Sequence, residues 1–311
     1  MSPSATTITN GSATAPPNSK PNRANNRPTA LEALQLRIQR LEDIQEITQL
    51  MSRRAYYHSA GRHDLEVSEL WCSDSPTAPS LLSPPSPPSA PGAHKNPYHP
   101  RAHAADVVFE PEDVGAFTSL PSLKKAYVDG NPFPPGTKGL MVEHTLTTPL
   151  IEIASDGVTA KGVWISPGHE TFPLDGEGED PKAHWSWGRY AVDFVKEAAA
   201  ADGASKTAHG GEGPGRGGAC KWKIWHLHVQ TTFRTPYGVD WVAAALEKPA
   251  WLPKDGETTE EQGAVDRGVS FNEPYHPDCA PKLQPVPPRP YDSWGQEGRC
   301  WSATERVDFE G

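Results

Sequence analysis

Residues 221–237, KWKIWHLHVQTTFRTPY, decide the fold, because they are typical of a long β-strand that is apolar on both sides. Alternation along a strand would place on one face Trp222, Ile224, His226, His228 and Gln230, and on the other Trp225, Leu227, Val229 and Phe233. A sheet with one face in water does not need two apolar faces, whereas a sheet that lines a ligand cavity and is buried behind it does. We therefore expect His226 and His228 to line a pocket or an interface.

The composition indicates that the folded part is smaller than the chain. Among 311 residues there are 34 Pro and 27 Gly, and only 36% of the residues are hydrophobic. We predict a disordered tail over residues 1–29 and an α+β domain over 30–250. Low-complexity inserts are predicted at 73–99 and 198–219, and a Pro- and aromatic-rich C-terminal arm at 251–311.

The charge and the absence of long apolar segments exclude several classes of partner. The formal net charge is −10, which disfavours binding to a nucleic-acid backbone. No stretch approaches the roughly 18 apolar residues of a membrane helix, and the first residues lack the apolar core of a signal peptide. We expect a cytoplasmic protein with no membrane or nucleic-acid partner.

The order of the predicted elements is helices first and antiparallel strands afterwards, which is the α+β arrangement. Apolar residues recur every three or four positions between Leu34 and Met51, so the first helix is predicted to begin near Thr29 and to end near Gly61. A shorter helix begins at HDLEVSELW. The strands follow in LMVEHTLTTPLIEI, VTAKGVWIS, HWSWGRYAVDFVKE and the stretch quoted above.

Five of these pieces, in this order, resemble SnoaL-like proteins of the nuclear transport factor two superfamily, the group of scytalone dehydratase and ketosteroid isomerase. They are RHDLEVSELW, VEHTLTTPLIEI, SDG, GRYAVDFVKE and KWKIWHLHV. The resemblance implies a curved antiparallel sheet wrapped by N-terminal helices into a cone. It also implies a hydrophobic ligand cavity and a homodimer formed through the outer face of the sheet. Such proteins often act without a cofactor, through acid and base side chains, on phenolic, polyketide or steroid-like molecules.

The candidate catalytic residues are histidines and tyrosines. His144 shares a predicted strand face with the apolar residues Leu140, Val142 and Leu146, and it matches a position where the family commonly has a catalytic histidine. The other predicted catalytic residues are His226, His228, Tyr56 and Tyr57, and the predicted substrate-binding residues are Trp164, Trp187, Tyr190, His58 and His169. The structural alternatives are packing in the core or between helix and sheet for the tyrosines, the tryptophans, His58 and His144, an interface for His226 and His228, and a rim or hydrogen-bonding role for His169.

These residues predict a cofactor-independent lyase or isomerase that acts by acid–base catalysis on an aromatic or polyketide-like small molecule. Two alternatives stay open. One is a non-catalytic small-molecule-binding dimer, and the other is a metal-dependent enzyme with His144, His226 and His228 as ligands. We expect no metal and no cofactor, because the resemblance implies catalysis without a cofactor and the sequence near HLH offers no obvious carboxylate to orient the rings.

Overall fold

The computed structural model describes residues 29–73, 107–111, 114–173, 182–197, 221–247, 265–270 and 273–292. The chain divides into two compact units, Met1–Ile38 and Gln39–Gly311. Apart from Thr29 and Ser73, the predicted N-terminal tail and both predicted inserts lie outside the described residues, so these domain boundaries stay predictions.

The first helix, α1 (Ala30–Ser59), has the predicted bounds. Within the first unit, Thr29 and Glu32 form a reciprocal cap, in which the Thr29 N–H donates to the Glu32 carboxylate at 2.7 Å and the Glu32 N–H donates to the Thr29 hydroxyl at 3.3 Å. At the other end the chain turns at Gly61, whose φ of +65° suits glycine. The helix therefore begins after a side-chain cap and ends before a glycine with positive φ.

The remaining helices are short. α2 (His63–Leu65) continues as a π-helical turn, Glu66–Leu70. α3 (Leu120–Lys124) continues in the same way as Lys125–Asp129, and α4 (Trp241–Leu246) follows the last strand. Across the residues that the structure describes, no helix is long and apolar enough to cross a membrane.

Six strands form one curved, unclosed sheet in the second unit, so the predicted α+β class is confirmed. They are β1 (Val108–Pro111), β2 (Met141–His144), β3 (Thr147–Ile153), β4 (Thr159–Phe172), β5 (Lys182–Glu197) and β6 (Lys221–Pro236). The strand order is β1-β6-β5-β4-β2, and β3 also pairs with β4. The three long strands β4, β5 and β6 are antiparallel neighbours, as predicted.

Two details of the sheet differ from the sequence prediction. The sheet is mixed rather than wholly antiparallel, because β1 pairs parallel to β6. The segment VEHTLTTPLIEI forms two strands, β2 and β3, rather than one. The break is at Thr145 and Leu146. Within β3 the pairing with β4 then shifts between Thr147 and Leu150, at Thr148, which has a φ of +47°, and Pro149, which has no N–H to donate to a ladder.

The two faces of the sheet have different neighbours. The inner face, which carries Trp164, Tyr190 and Leu227, packs against α1, and its core includes Ile47 and Met51. At one end of this contact the Trp222 indole N–H and the Lys196 ammonium both donate to the buried Asp43 carboxylate, at 3.0 and 2.6 Å. The register of β4 with β5 is continuous. Residues of β5 that are an odd number of positions from Tyr190 in the sequence therefore lie on the outer face.

Described parts of the C-terminal arm, 265–270 and 273–292, lie on the sheet and beside β1. Tyr291 is buried and lies 5.3 Å from the Lys161 ammonium, measured to the ring centre. The Arg189 guanidinium donates to the Gln284 carbonyl. Arg267 and Ser270 both bind the buried Glu110 carboxylate of β1. The arm thus holds ionic and aromatic contacts with the rest of the unit.

Candidate active site

His144 is placed by a close approach of two strands. It ends β2 opposite Gly168 of β4, and a Cβ atom at Gly168 would come within 2.6 Å of His144 Cδ2. Only glycine leaves room for the imidazole to lie across β4. The inward face predicted for His144 is confirmed, because Val142, His144 and Leu146 are all half-buried while Glu143 and Thr145 are exposed.

A buried carboxylate holds the His144 ring from one side. His144 Nε2 lies 2.9 Å from Glu170 Oε1, and the Arg234 guanidinium lies 2.6 Å from Glu170 Oε2. Burial alone would raise the pKa of Glu170, but the hydrogen bond from His144 and the charge of Arg234 outweigh it, so the pKa is lowered. Glu170 is therefore a carboxylate at neutral pH, and His144 Nε2 is the donor to it. This leaves His144 Nδ1 as the nitrogen that can accept a proton.

Tyr190 lies at the other nitrogen of the same ring. Its hydroxyl is 3.5 Å from His144 Nδ1, the outer limit of a hydrogen bond. The Arg54 guanidinium carbon lies 5.3 Å from the centre of the Tyr190 ring. Burial raises the pKa of Tyr190 in spite of that positive charge, so the hydroxyl keeps its proton at neutral pH. The weak contact at Nδ1 is one that a substrate can replace.

A second imidazole lies beside His144, and a second phenol contacts that imidazole. The His58 ring stacks on the His144 ring with 5.1 Å between centroids, and the Tyr127 hydroxyl lies 2.9 Å from His58 Nδ1. Burial, and then the charges of His144, Arg54 and His63, lower the pKa of His58 well below its usual value. His58 is therefore uncharged at neutral pH. We call His144, Glu170, Arg234, Tyr190, His58 and Tyr127 the acid–base cluster.

The depressed pKa of His58 predicts a pH-dependent stability. An unfolded histidine takes up its proton near pH 6.5, whereas folded His58 does so only at much lower pH, so the unfolded state binds more protons as the pH falls below about 6.5. Between pH 7 and pH 5 this group alone should lower the free energy of unfolding by at most about 1.4 kcal/mol per pH unit. Urea denaturation at both pH values should show a smaller loss of unfolding free energy for His58→Gln than for the wild type. A His169→Gln control should lose as much as the wild type. If His58→Gln lost as much as the wild type, the lowered pKa of His58 would be contradicted.

The two predicted tyrosines of α1 do not lie in this cluster. Tyr56 is 79% exposed. Tyr57 donates from its hydroxyl to Glu69 Oε2 at 2.7 Å. It is the next residue, His58, that faces the sheet, because α1 turns by about 100° per residue and its buried side runs through Ile47, Met51 and Arg54.

His226 and His228 lie on the outer face, away from His144, so the prediction that they share a face with Trp222 and Ile224 is wrong. A β-bulge between the pairs Asp193–His226 and Phe194–Ile224 inserts one residue into β6 and reverses the alternation after it. His226 Nδ1 lies 2.9 Å from the fully buried Asp193 Oδ2. His228 is the register partner of Glu110 on β1.

This separation also breaks up the three-histidine metal set, because His144 is on the inner face and His226 and His228 are on the other. The described residues bring together a different group, His58, His63 and Glu66.

The predicted substrate-binding residues divide between core, outer face and cluster. Trp164 is buried in the core, with its ring edge-on to Phe194 at 6.1 Å. Trp187 is 37% exposed on the outer face and stacks on Phe233, and the exposed His169 lies beside Trp185 on the same face. Tyr190 and His58 are the two members of this set that belong to the cluster.

Four residues of this site were not predicted from the sequence: Glu170, Arg234, Tyr127 and Arg54. Two signals were available. Arg54 and His58 continue the apolar stripe of α1 from Ile47 and Met51 at spacings of three and four, and Glu170 continues the inward face of β4 from Trp164 in steps of two. A charged residue on a buried face needs a partner, which is a reason to suspect a site. The irregular pairing of β6 gave no such signal for Arg234.

Comparison with known proteins adds names but no activity. No family model matches the chain, and no curated protein does. Among solved structures, a proposed scytalone dehydratase from Novosphingobium aromaticivorans is 13% identical, with a TM-score of 0.38 over 65% of this chain and 93% of that one. A proposed dehydratase of the nuclear transport factor two-like family from Streptomyces avermitilis is 11% identical, with a TM-score of 0.39 over 64% and 99%.

A further structure, a nuclear transport factor two-like protein from Novosphingobium aromaticivorans, is 14% identical, with a TM-score of 0.31 over 70% of this chain and 94% of that one. Identities and TM-scores this low carry no argument about superfamily or activity, so the superfamily resemblance stays a prediction from the sequence.

Proposed function

We propose that this protein is a lyase or isomerase that works by acid–base catalysis, with His144 as the general base. The observation that carries the proposal is the His144–Glu170–Arg234 arrangement. A buried carboxylate, kept ionised by an arginine, holds the Nε2 proton and presents Nδ1 as a proton acceptor. A structural histidine needs one hydrogen-bond partner, and does not need a carboxylate that is itself fixed by a buried cation.

The same cluster offers a proton donor. The Tyr127 hydroxyl and His58 Nδ1 form a hydrogen bond of 2.9 Å, and the His58 ring stacks on that of His144. In a dehydration, His144 Nδ1 would take a proton from a carbon next to a carbonyl, and the Tyr127 hydroxyl would protonate the departing hydroxyl. In an isomerisation the donor would return a proton to a different carbon. Both steps are proton transfers by groups present in the chain.

The substrate class follows from the side chains around the proton acceptor. His58, Tyr127 and Tyr190 present ring edges and faces rather than an array of charges, which suits a flat aromatic or polyketide-like molecule. This substrate class and a homodimeric assembly are part of the proposal. The superfamily names reported above are compatible with it.

A base can be tested without knowing the substrate, by using 5-nitrobenzisoxazole as a probe. Removal of its ring C–H proton breaks the N–O bond and releases a coloured cyanophenolate, so the assay reports proton abstraction next to an aromatic ring. We expect saturable turnover by the full chain. Glu170→Gln should lower it about tenfold or more, because the amide cannot stabilise the protonated ring.

The competing function, a non-catalytic binding protein, gives a different result in the same experiment. The probe, or the cyanophenol product added as a ligand, would then bind with no turnover above that of free imidazole at the same concentration. That outcome would contradict the proposed function.

A further inference from the structure

We propose that His58, His63 and Glu66 form a binding site for a divalent transition-metal cation of the zinc type. The site lies beside the acid–base cluster and shares His58 with it. The proposal goes beyond the proposed function and does not rest on it, because it depends on three ligand atoms and not on His144.

The three ligand atoms converge on one point. His63 Nδ1 lies 3.5 Å and His58 Nδ1 lies 3.9 Å from the same oxygen, Glu66 Oε2. One ligand atom from each of the three residues lies within 4.8 Å of the other two. Tetrahedral zinc with bonds of about 2.0–2.2 Å separates its ligand atoms by about 3.4 Å. The largest of the three separations therefore needs to shorten by about 1.4 Å or less to hold the ion.

Regular backbone holds these residues. His58 is in the last turn of α1, and the chain then reverses at Gly61. His63 begins α2, and Glu66 follows one turn later, three residues on, where side chains lie on the same face. The two imidazoles are 5.2 Å apart between centroids, in an edge-to-face orientation that leaves both Nδ1 atoms near the carboxylate. Ligands on helical backbone are more closely fixed than ligands on loops.

The surroundings of the carboxylate suit a metal ligand. Glu66 is fully buried, and its other oxygen, Oε1, lies 2.8 Å from Arg54 Nε. Arg54 thereby fixes the carboxylate and directs Oε2 towards the two histidines. The Tyr127 hydroxyl hydrogen-bonds to His58 Nδ1 at 2.9 Å in the metal-free protein, so it has to give up this bond when the metal takes the nitrogen, and it can then bind a water on the metal.

The donor set and the nearby charge determine which ion fits. Two imidazole nitrogens and one carboxylate oxygen favour zinc and cobalt over magnesium and calcium, which prefer oxygen ligands. The positive charge of Arg54 repels any cation, so an ion that is attracted only by charge would not bind stably. We therefore expect selectivity for the transition metals rather than general divalent binding.

The test is a metal titration of the full chain, purified without a metal-binding tag and treated with a chelator. Co²⁺ is added while visible absorption is recorded, since tetrahedral cobalt has a distinctive spectrum, and Zn²⁺ is then added to displace it. We expect one Co²⁺ per chain and no displacement by Mg²⁺. His63→Asn should weaken Co²⁺ binding at least tenfold, as loss of one of three ligands does. His169→Asn, which removes an exposed histidine on the outer face, is the matched control and should bind like the wild type.

A thermal melt separates a loss of metal binding from a loss of folding. Zn²⁺ should raise the melting temperature of the wild type and of His169→Asn but not of His63→Asn, and the melt in the absence of metal shows that His63→Asn is folded. Glu66→Gln is a second variant with the same expected loss of binding. Equal cobalt binding by His63→Asn and His169→Asn, or no binding by the wild type, would overturn the metal site. His144→Gln should keep the metal and lose probe turnover, so the two proposals can fail separately.

Discussion

Replacing His144 by alanine is expected to lower turnover of 5-nitrobenzisoxazole at least a hundredfold, because general-base assistance is typically worth about 10²–10⁴ in rate. The substitution removes the Nδ1 acceptor and leaves Glu170 still paired with Arg234 at 2.6 Å, so the carboxylate does not become an isolated buried charge. The measurement is the initial rate of cyanophenolate release for wild type and variant, with circular dichroism to show that the variant is folded.

The control for this prediction is His169→Ala. His169 lies on the same strand as Glu170, but its side chain is exposed on the outer face beside Trp185. It should turn the probe over at the wild-type rate. A rate for His144→Ala within a factor of about two of the wild type would contradict the role of His144, since general-base assistance is worth far more than that.

Truncation after Pro249 is expected to lower the free energy of unfolding by about 3–5 kcal/mol or more, because it leaves a buried carboxylate without its partners. Glu110 is buried beside β6, and its described partners Arg267 and Ser270 both belong to the removed segment. Burial would raise the pKa of Glu110, and Ser270, His228 and Arg267 together lower it. Truncation also removes the buried ring of Tyr291, which exposes the surface around Lys161 that the ring covers.

Urea denaturation and light scattering measure this effect, and truncation after Asp292 is the matched control. That shorter truncation removes residues 293–311 and leaves every described contact of the arm in place. It should have the stability of the full chain and the same number of chains per particle. If truncation after Pro249 changed neither the unfolding free energy nor the number of chains per particle, the arm would be a free tail.

The sequence predicted the parts of the fold that depend on regular periodicity. The stripe of α1 gave its bounds, because spacings of three and four describe a helix whatever it packs on. The alternation in LMVEHTL gave the inward face of His144 for the same reason. Neither pattern needed knowledge of distant residues.

The failures depend on contacts between distant parts of the chain. The β-bulge that turns His226 and His228 outward is defined by the pairing of β6 with β5, and a run such as KWKIWHLHV has no residue that marks it. β1 is four residues long and its parallel pairing places Glu110 next to His228, a relation that neither segment contains alone. Glu170 and Arg234 are 64 positions apart in the sequence and meet because β4, β5 and β6 are neighbours.

The measurement that tests the central claim most directly is the protonation of each His144 ring nitrogen, by ¹⁵N NMR of histidine-labelled protein. His144→Gln identifies its signals. At pH 8.5, above the ordinary histidine pKa of about 6.5, we expect the hydrogen on Nε2, donated to Glu170, and Nδ1 without hydrogen. In Glu170→Gln this preference should weaken, because an amide can donate to the ring as well as accept from it. A hydrogen on Nδ1 in the wild type would contradict the account, because His144 would then have no acceptor facing a substrate.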